Sequence, residues 1–394
     1  MYDLLVKGGT VLDRAQGISG KMDVAIAGGR VEAVEDTISD GKAKKTIDAR
    51  GLIVSPGLID IHTHVAWELV RLSIDPFVRC LLKGTTTAVD AGSTGELNYR
   101  GFEHYVIEAS KTRILAFINI ESLGMVEFAD IKPGNTDQEW PSLLTRSKEK
   151  YAGMFISEEN TERLIRDNPD KIVGIKWAHH GIKGMEKARE VGDSAGCRLM
   201  VENKFMPAAG VRLLKKGDII THIFHDSFNA NSGYVDGMCQ DGTIPEEFFQ
   251  MKKRGIIFDV GHGQGSFSWD VGELAFKEGL RPDTISSDLW SGNVKGPVYD
   301  LPTVMSKFLH LGMSLEDVFA AATSEAASAV GRRGKLGSLQ PGRPADLAAF
   351  KIREGNFPME DCYGEVRKMK RHIVPVHVVK GGELVLSNGK PVSS

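Results

Sequence analysis

The pattern of apolar and polar positions divides the chain into three zones. In residues 1–55, short alternating segments are separated by Gly8-Gly9 and Gly28-Gly29, which is typical of hairpins in a small antiparallel sheet. In residues 56–337, short apolar runs alternate with helix-like stretches, and this alternation predicts β/α units around a parallel sheet. Strand-like segments return in residues 338–394. The pattern predicts one β domain, formed by both ends of the chain, that is interrupted by a central α/β domain.

Eight strand-like runs can be counted in the central zone. They end at or near residues 62, 90, 119, 177, 202, 222, 260 and 288. Eight strands make a closed (β/α)₈ barrel, and a chain of 394 residues is long enough for such a barrel and a smaller domain. Active sites of this barrel lie at the C-terminal ends of its strands. The polar residues at those ends are therefore site candidates: His62, His64, Lys176, Glu202, His222, His262 and Asp288.

His62 and His64 lie two positions apart at the end of an apolar run that follows the turn Ser55-Pro56-Gly57. In a strand, side chains at positions i and i+2 point to the same face, so the two imidazoles converge. Imidazole nitrogens bind zinc at about 2.0–2.1 Å, and a rigid strand end is a suitable place to offer them. The pair therefore indicates a metal site, although two histidines in a core or on a sheet edge would give the same pattern.

The composition excludes several classes of protein. A hydrophobic content of 41%, a charged content of 26% and a net charge of −3 describe a globular chain, and we expect neither a nucleic acid nor a membrane partner. The four cysteines, Cys80, Cys197, Cys239 and Cys362, are scattered, so neither a disulfide framework nor a thiolate zinc site is indicated. No leader and no apolar run of about 18 residues is recognised. We expect a cytoplasmic protein whose assembly into a homo-oligomer is left open.

Taken together, these positions resemble the amidohydrolase superfamily of metal-dependent hydrolases. The resemblance covers nearly the whole chain and rests on His62-Thr63-His64, Lys176, His222, Asp288 and the tail at residues 337–347. Residues 258–269 and 284–289 most resemble the amidohydrolase/deacetylase, or dihydroorotase-like, branch. The resemblance implies a (β/α)₈ barrel, residues 56–337, flanked by a β-sandwich that is built from residues 1–55 and 338–394.

The resemblance also implies roles for individual residues. His62 and His64 would bind one divalent ion, expected to be zinc, and His222 would bind a second. Lys176 would carry a carboxyl group derived from carbon dioxide and bridge the ions, because an ammonium group has no lone pair. Asp288 would bind the first ion and take a proton from the attacking water. As alternatives, Lys176 could extend to solvent, and Asp288 could cap a helix.

The fifth strand departs from the family pattern, because Glu202 stands where a second-metal histidine is usual. Glu202 could replace that histidine as an oxygen ligand, which zinc accepts, and we favour this interpretation. The second ion could instead be weak or absent, so that one or two ions bind per chain. A neighbouring histidine, His179 or His180, could also take its place. An ion pair between Glu202 and Lys204 is the purely structural alternative.

The expected reaction is hydrolysis of an amide, cyclic amide or ester bond of a small molecule by hydroxide on the metal. His262, in a glycine-rich turn, could donate a hydrogen bond to the substrate carbonyl, or it could be a loop histidine with no role. Dihydroorotase activity is associated with an arginine two positions after the second histidine, where this chain has Ala66. A deacetylase or N-acyl hydrolase is therefore favoured. The alternatives are a hydantoinase-like or dihydroorotase-like cyclic amidase and a non-catalytic binding protein of the same fold.

Overall fold

Two β-sheets organise the protein. The computed structural model describes residues 1–126, 155–178, 181–206, 208–226 and 242–392. In chain order the strands are β1 (Leu4–Asp13), β2 (Ile18–Ala27), β3 (Arg30–Glu35), β4 (Thr46–Asp48), β5 (Ile53–Pro56), β6 (Leu58–Thr63), β7 (Thr85–Ala91), β8 (Arg113–Asn119), β9 (Ile172–Trp177), β10 (Arg198–Glu202), β11 (Ile219–Thr221), β12 (Ile257–Phe258), β13 (Leu347–Glu360), β14 (Val366–Lys380), β15 (Glu383–Ser387) and β16 (Lys390–Pro391).

The described α-helices lie mainly between the strands of the central zone. They are α1 (Pro76–Arg79), α2 (Tyr99–Phe102), α3 (Glu158–Asp167), α4 (Gly181–Ala195), α5 (Glu246–Lys253), α6 (Trp269–Lys277), α7 (Leu301–His310), α8 (Leu315–Ala321) and α9 (Ser324–Ala329). In the part of the chain that the structure describes, no helix is both long enough and apolar enough to cross a membrane.

The two ends of the chain share one nine-stranded sheet. Its order is β16-β15-β14-β13-β5-β1-β2-β3, and β4 pairs with β1. The two ends meet where β13 pairs antiparallel with β5, from Leu347 opposite Pro56 to Phe350 opposite Ile53. The predicted joining of both termini in one β unit is therefore present. The packing of this sheet as a sandwich and the domain boundaries at residues 55 and 338 remain predictions.

The central strands form a parallel sheet in the order β6 to β12, and residues 284–289 close it into a barrel. The closing segment bonds to one neighbour through Gly263 N and Ser287 O (3.0 Å), and to the other through Asp288 N and His62 O (2.7 Å). The sequence predicts a regular eighth strand here, whereas the segment makes only isolated bridges. Its backbone leaves the extended conformation at Asp288, which has φ of 49°. The (β/α)₈ architecture is thus present, with an irregular eighth strand.

The barrel interior is a packed apolar core. Ile61 of β6, Phe117 of β8 and Met200 of β10 are fully buried there against Ala326 and Val330, which lie in and just after α9. Helix α9 therefore covers the N-terminal end of the barrel. The polar strand ends lie above this core, at the C-terminal end, as the barrel architecture requires.

A register shift in β6 positions the first predicted ligand. The pairing of β6 with β7 shifts between Asp60 and Thr63, so that three steps along β6 match two steps along β7. Such a bulge puts two successive side chains on one face. Both side chains consequently point into the barrel. Ile61 packs in its apolar core, and His62 lies above this core at the polar end.

Candidate metal centre

The first predicted ligand group is brought together at the C-terminal end of the barrel. Oδ1 of Asp288 lies 3.4 Å from Nε2 of His62 and 3.1 Å from Nε2 of His64. The three possible ligand atoms lie within 4.8 Å of one another. Both histidines are buried, whereas 13% of the Asp288 side chain is exposed. Two imidazoles and a carboxylate around one point form a donor set that fits a zinc-like divalent ion.

The second predicted group adjoins the first. Oε1 of Glu202 lies 3.7 Å from Nε2 of His222, and Nζ of Lys176 lies 3.2 Å from Nε2 of His62. The rings of His62 and His222 are 4.9 Å apart between centroids. All six residues that the sequence predicts as metal ligands therefore form one connected cluster. His179 and His180, the other candidates for the second group, lie outside the described residues.

Lys176 occupies the point between the two groups. Its side chain is fully buried, and Nζ lies 3.4 Å from Oε1 of Glu202. As an ammonium group, Lys176 would form an ion pair with Glu202. As a carbamate, Lys176 would offer oxygen atoms to both ligand groups, because its side chain lies next to His62 of the first group and Glu202 of the second. The burial excludes the alternative in which Lys176 extends to solvent.

Hydrogen bonds to Nδ1 orient the rings of His62, His64 and His222, so that Nε2 of each ring faces the site. Nδ1 of His222 lies 2.6 Å from the carbonyl oxygen of Gly261. A carbonyl can only accept, so Nδ1 carries the proton and Nε2 keeps its lone pair. Nδ1 of His64 lies 2.8 Å from Oγ of Ser93, and Nδ1 of His62 lies 3.0 Å from Oγ1 of Thr221. With the proton on Nδ1 of each neutral ring, all three Nε2 atoms would be available as ligand atoms.

The protonation state of His62 suits this role. Burial, followed by the nearby Lys176 and the two other histidines, lowers the pKa of His62 well below its usual range. The imidazole is therefore neutral at neutral pH, and a metal ligand must be neutral for its lone pair to be available.

Buried aspartates, which the sequence pattern did not single out, hold the backbone beneath the ligands. Asp60 accepts hydrogen bonds from the backbone N–H groups of His62 (3.3 Å) and Ser287 (3.0 Å), and from the Ser287 hydroxyl. Burial raises the pKa of Asp60 to about 7. Because Ser287 precedes Asp288, one carboxyl group joins the two strands that carry the first ligand group.

Asp90 and Asp259 act in the same way at other strand ends. Asp90 accepts from the N–H groups of Val65 (2.9 Å) and Ser93 (2.8 Å). Asp259 accepts from the hydroxyl of Thr221 at 2.7 Å, and from two further hydroxyls on the closing segment, those of Thr284 and Ser286. Burial raises the pKa of both carboxyl groups. Aspartates inside otherwise apolar runs were the sequence signal for them.

The backbone at two ligands is in the left-handed region. His222 has φ of 64° and Asp288 has φ of 49°. Residues other than glycine seldom adopt this conformation, and it is common at functional sites. Gly263 lies beside Asp288, and a Cβ atom on Gly263 would lie 2.4 Å from Oδ2 of Asp288. The glycine therefore leaves the space that the carboxylate occupies.

His262 lies in the same glycine-rich turn, and its ring contacts Gly263, Phe267 and Lys307. Its Nδ1 lies 3.0 Å from the carbonyl oxygen of Gly263, and its Nε2 lies 2.8 Å from Nζ of Lys307. The fully buried ring stacks on Phe267, with 4.7 Å between centroids. Burial, and then the charge of Lys307, lowers the pKa of His262 well below its usual range. Both ring nitrogens have protein partners, and the predicted contact of His262 with a substrate carbonyl stays a prediction.

Known proteins resemble this chain over nearly its whole length. Residues 273–385 match the model of the amidohydrolase family. A deacetylase of Agrobacterium fabrum is 33% identical over 93% of this chain and 87% of its own length. A deacetylase of Enterococcus faecalis is 31% identical over 97% of this chain and 99% of its own.

Solved structures give the same result for the fold. The structure of an adenine deaminase superposes with a TM-score of 0.83 at 29% identity, covering 98% of this chain and 99% of the other. The structure of a dihydroorotase superposes with a TM-score of 0.82 at 30% identity, covering 98% of each chain. The barrel and its flanking sheet are therefore shared with hydrolases that differ in their named substrates.

Proposed function

This chain belongs to the amidohydrolase superfamily, and we propose that it is a deacetylase that hydrolyses the amide or ester bond of a small acylated molecule. It is a metal-dependent hydrolase that acts on carbon–nitrogen bonds, which agrees with the deacetylase names of its relatives. The observation that carries the proposal is the convergence of six ligand-type residues at one end of the barrel.

We assign His62, His64 and Asp288 to one divalent ion, with zinc the expected metal, and Glu202 and His222 to a second. Lys176 would carry a carbamate that serves both ions. The closeness of Lys176 to both His62 and Glu202 supports it. When bound, such ions lower the pKa of water toward about 7 and polarise a carbonyl group.

Asp288 has the position of the acid–base residue. Its Oδ1 lies against both histidines of the first group, and its Oδ2 lies 4.0 Å from Nε2 of His222. The carboxylate can therefore take the proton of a water molecule that attacks the carbonyl carbon. It then gives this proton to the leaving nitrogen or oxygen, so that one group serves as base and then as acid.

Ala66, two positions after His64, separates this chain from one alternative. Ala66 is fully buried and apolar, and it occupies the position at which an arginine would bind a substrate carboxylate. We therefore do not expect dihydroorotase activity, even though a dihydroorotase is a structural neighbour. A substrate without that carboxylate fits the site better.

A substrate panel tests the proposal. Metal-loaded protein is incubated with N-acetyl amino acids, acetylated hydroxy acids, hydantoins, lactams, dihydroorotate and adenine, and the products are quantified by mass spectrometry. The His64→Asn variant gives the background. We expect release of acetate at a kcat/KM at least a hundredfold above that background. Turnover of only cyclic amides or adenine would reassign the reaction, and a zinc content below about 0.2 per chain without turnover would favour a binding protein.

The carbamate has a test of its own. Protein equilibrated with carbon-13 bicarbonate should show a carbamate signal in its carbon NMR spectrum, and the signal should be absent from Lys176→Ala. Lys335→Ala, which changes an exposed lysine, is the matched control. The same spectrum for wild type and Lys176→Ala would mean that Lys176 forms only the ion pair with Glu202.

A further inference from the structure

A second cleft, about 510 Å³ in volume, lies at the other end of the barrel from the candidate metal centre. Its lining includes Ile172 and Arg198, which begin β9 and β10, and Asp218, which directly precedes β11. Lys176 and Glu202 lie near the opposite ends of β9 and β10. At about 3.3 Å per residue, the five residues of β10 separate the two sites by roughly 13 Å. The cleft is therefore distinct from the metal centre.

The lining of this cleft is strongly basic. Asp218 is the only carboxylate in the described lining, whereas six side chains there carry positive charge: Arg166, Arg189, Arg198, Lys215, Lys216 and Arg332. Three of the six have carboxylate partners. Arg189 pairs with Asp218 (2.8 Å), Lys215 with Asp193 (2.7 Å) and Arg166 with Glu162 (2.6 Å).

The other three cations have no ion pair among the described residues. Arg198 donates to the carbonyl oxygens of Ser328 and Ala329, and Arg332 donates to that of Pro169 at 2.7 Å. These bonds hold the two guanidinium groups in place but do not neutralise their charge. Asp170 attracts Arg332 without forming an ion pair with it, and the exposed carboxylate of Asp170 lies 3.9 Å from Nζ of Lys335. Lys216 is exposed at the edge of the cleft.

The two arginines are also partly desolvated and close enough to repel each other. Burial lowers the pKa of Arg198; Asp218 and Cys197 partly oppose this effect, and the charge of Arg332 adds to it. Burial likewise lowers the pKa of Arg332. Two like charges with reduced access to water are stabilised by an anion between them, and the rigid fork of a guanidinium group matches phosphate oxygens.

We propose that this cleft binds the phosphate group of a small phosphate monoester. Three unpaired cations around one space favour a group that carries two negative charges on one centre, which a phosphate monoester does and a single carboxylate does not. The volume lies within the range of about 300–1,000 Å³ that is usual for small-molecule sites, so it leaves room for the organic part of the molecule.

Calorimetric titration of the metal-loaded protein with glycerol phosphate tests the proposal. The variants are Arg332→Gln/Lys216→Gln and, as a matched control, Arg163→Gln, which changes an arginine of α3 outside the cleft lining. Any binding at the metal centre is common to all three proteins. We expect wild type and the control to have equal Kd values, and the double variant to bind at least tenfold more weakly.

The double variant could unfold because it loses the bond from Arg332 to Pro169. Lys216→Gln alone, which changes only an exposed side chain, tests the proposal in that case. This single variant should weaken binding about threefold. Equal affinities in all proteins would overturn the proposal, as would the absence of binding to wild type. Tighter binding of succinate or of inorganic phosphate than of glycerol phosphate would overturn the assignment of a monoester.

Discussion

Oγ1 of Thr221 lies 3.0 Å from Nδ1 of His62. The same hydroxyl donates its proton to Asp259 at 2.7 Å, so it can only accept from the imidazole. His62 therefore carries its proton on Nδ1 and offers Nε2 to the metal centre. Asp259 thus orients His62 indirectly, through the hydroxyl of Thr221 that lies between them.

Thr221→Val should weaken metal binding while leaving the fold intact. Valine fills the same volume but cannot accept from Nδ1, so the tautomer and the orientation of His62 are no longer fixed. Loss of such a supporting contact typically costs about 10–100-fold in metal affinity. Competition with a chelator measures this change, and Thr221→Ser should retain affinity close to that of wild type. Equal affinities for Val and Ser variants would show that the hydroxyl has no orienting role.

His64→Asn should abolish turnover of the substrate identified by the panel. Asparagine is too short to bring a donor atom to the place of Nε2, which lies 3.1 Å from Oδ1 of Asp288. The contact of Nδ1 with Ser93 offers a graded comparison, because Ser93→Ala removes only the supporting hydroxyl. We expect Ser93→Ala to keep measurable activity. Normal kcat in His64→Asn would contradict the assignment of the metal centre.

Glu202→Ala should lower the occupancy of one metal ion and leave the other bound. Its Oε1 lies 3.7 Å from Nε2 of His222 and 3.4 Å from Nζ of Lys176, whereas His62 and His64 are held together around Oδ1 of Asp288. Elemental analysis of metal per chain should fall from two to one. Glu202→Gln, which keeps size and one oxygen, should lose less. Unchanged occupancy in the alanine variant would make Glu202 a bystander, and one ion in wild type would contradict the second site.

Much of the site could be predicted because barrel geometry converts position along the chain into position in space. His62, Lys176 and Asp288 are far apart in sequence, but each ends a strand, and strand ends of a parallel barrel meet at one face. Residue type and strand position were enough to place them together. The departure at Glu202 was also visible, because the fifth strand ends in a carboxylate.

Other features depend on contacts that a single sequence does not encode. The register shift between Asp60 and Thr63, which puts Ile61 and His62 on one face of β6, interrupts the alternation of a regular strand. The pairing of His262 with Lys307 joins residues 45 positions apart and has no local pattern. Buried aspartates such as Asp259 resembled ordinary polar interruptions of apolar runs until their hydroxyl partners were known.

Gly263→Ala should lower kcat more than it changes KM. The added Cβ would lie 2.4 Å from Oδ2 of Asp288, and Gly263 has φ of 54°, which disfavours any side chain. Moving a catalytic carboxylate by about 1 Å can cost about a hundredfold in rate. Gly265→Ala is the control, because its Cβ would meet only the flexible end of Lys204 at 3.1 Å. A similar kcat for both variants would show that Gly263 does not shape the position of Asp288.

Lys307 should make the stability of the protein depend on pH in the alkaline range. Burial lowers the pKa of Lys307 from 10.5 to about 8. Between these values the unfolded chain binds a proton that the folded chain has released, so the free energy of unfolding rises with pH across this window. The full rise is at most between about 3 and 4 kcal/mol, from about 1.4 kcal/mol per pKa unit. Denaturant titrations at about pH 7.5, 9 and 10.5 measure it as the difference between wild type and Lys307→Met, which cannot titrate at this position. Parallel curves for the two proteins would mean that the ammonium keeps its ordinary pKa, held by its bonds to the carbonyl oxygens of Pro297 and Glu360.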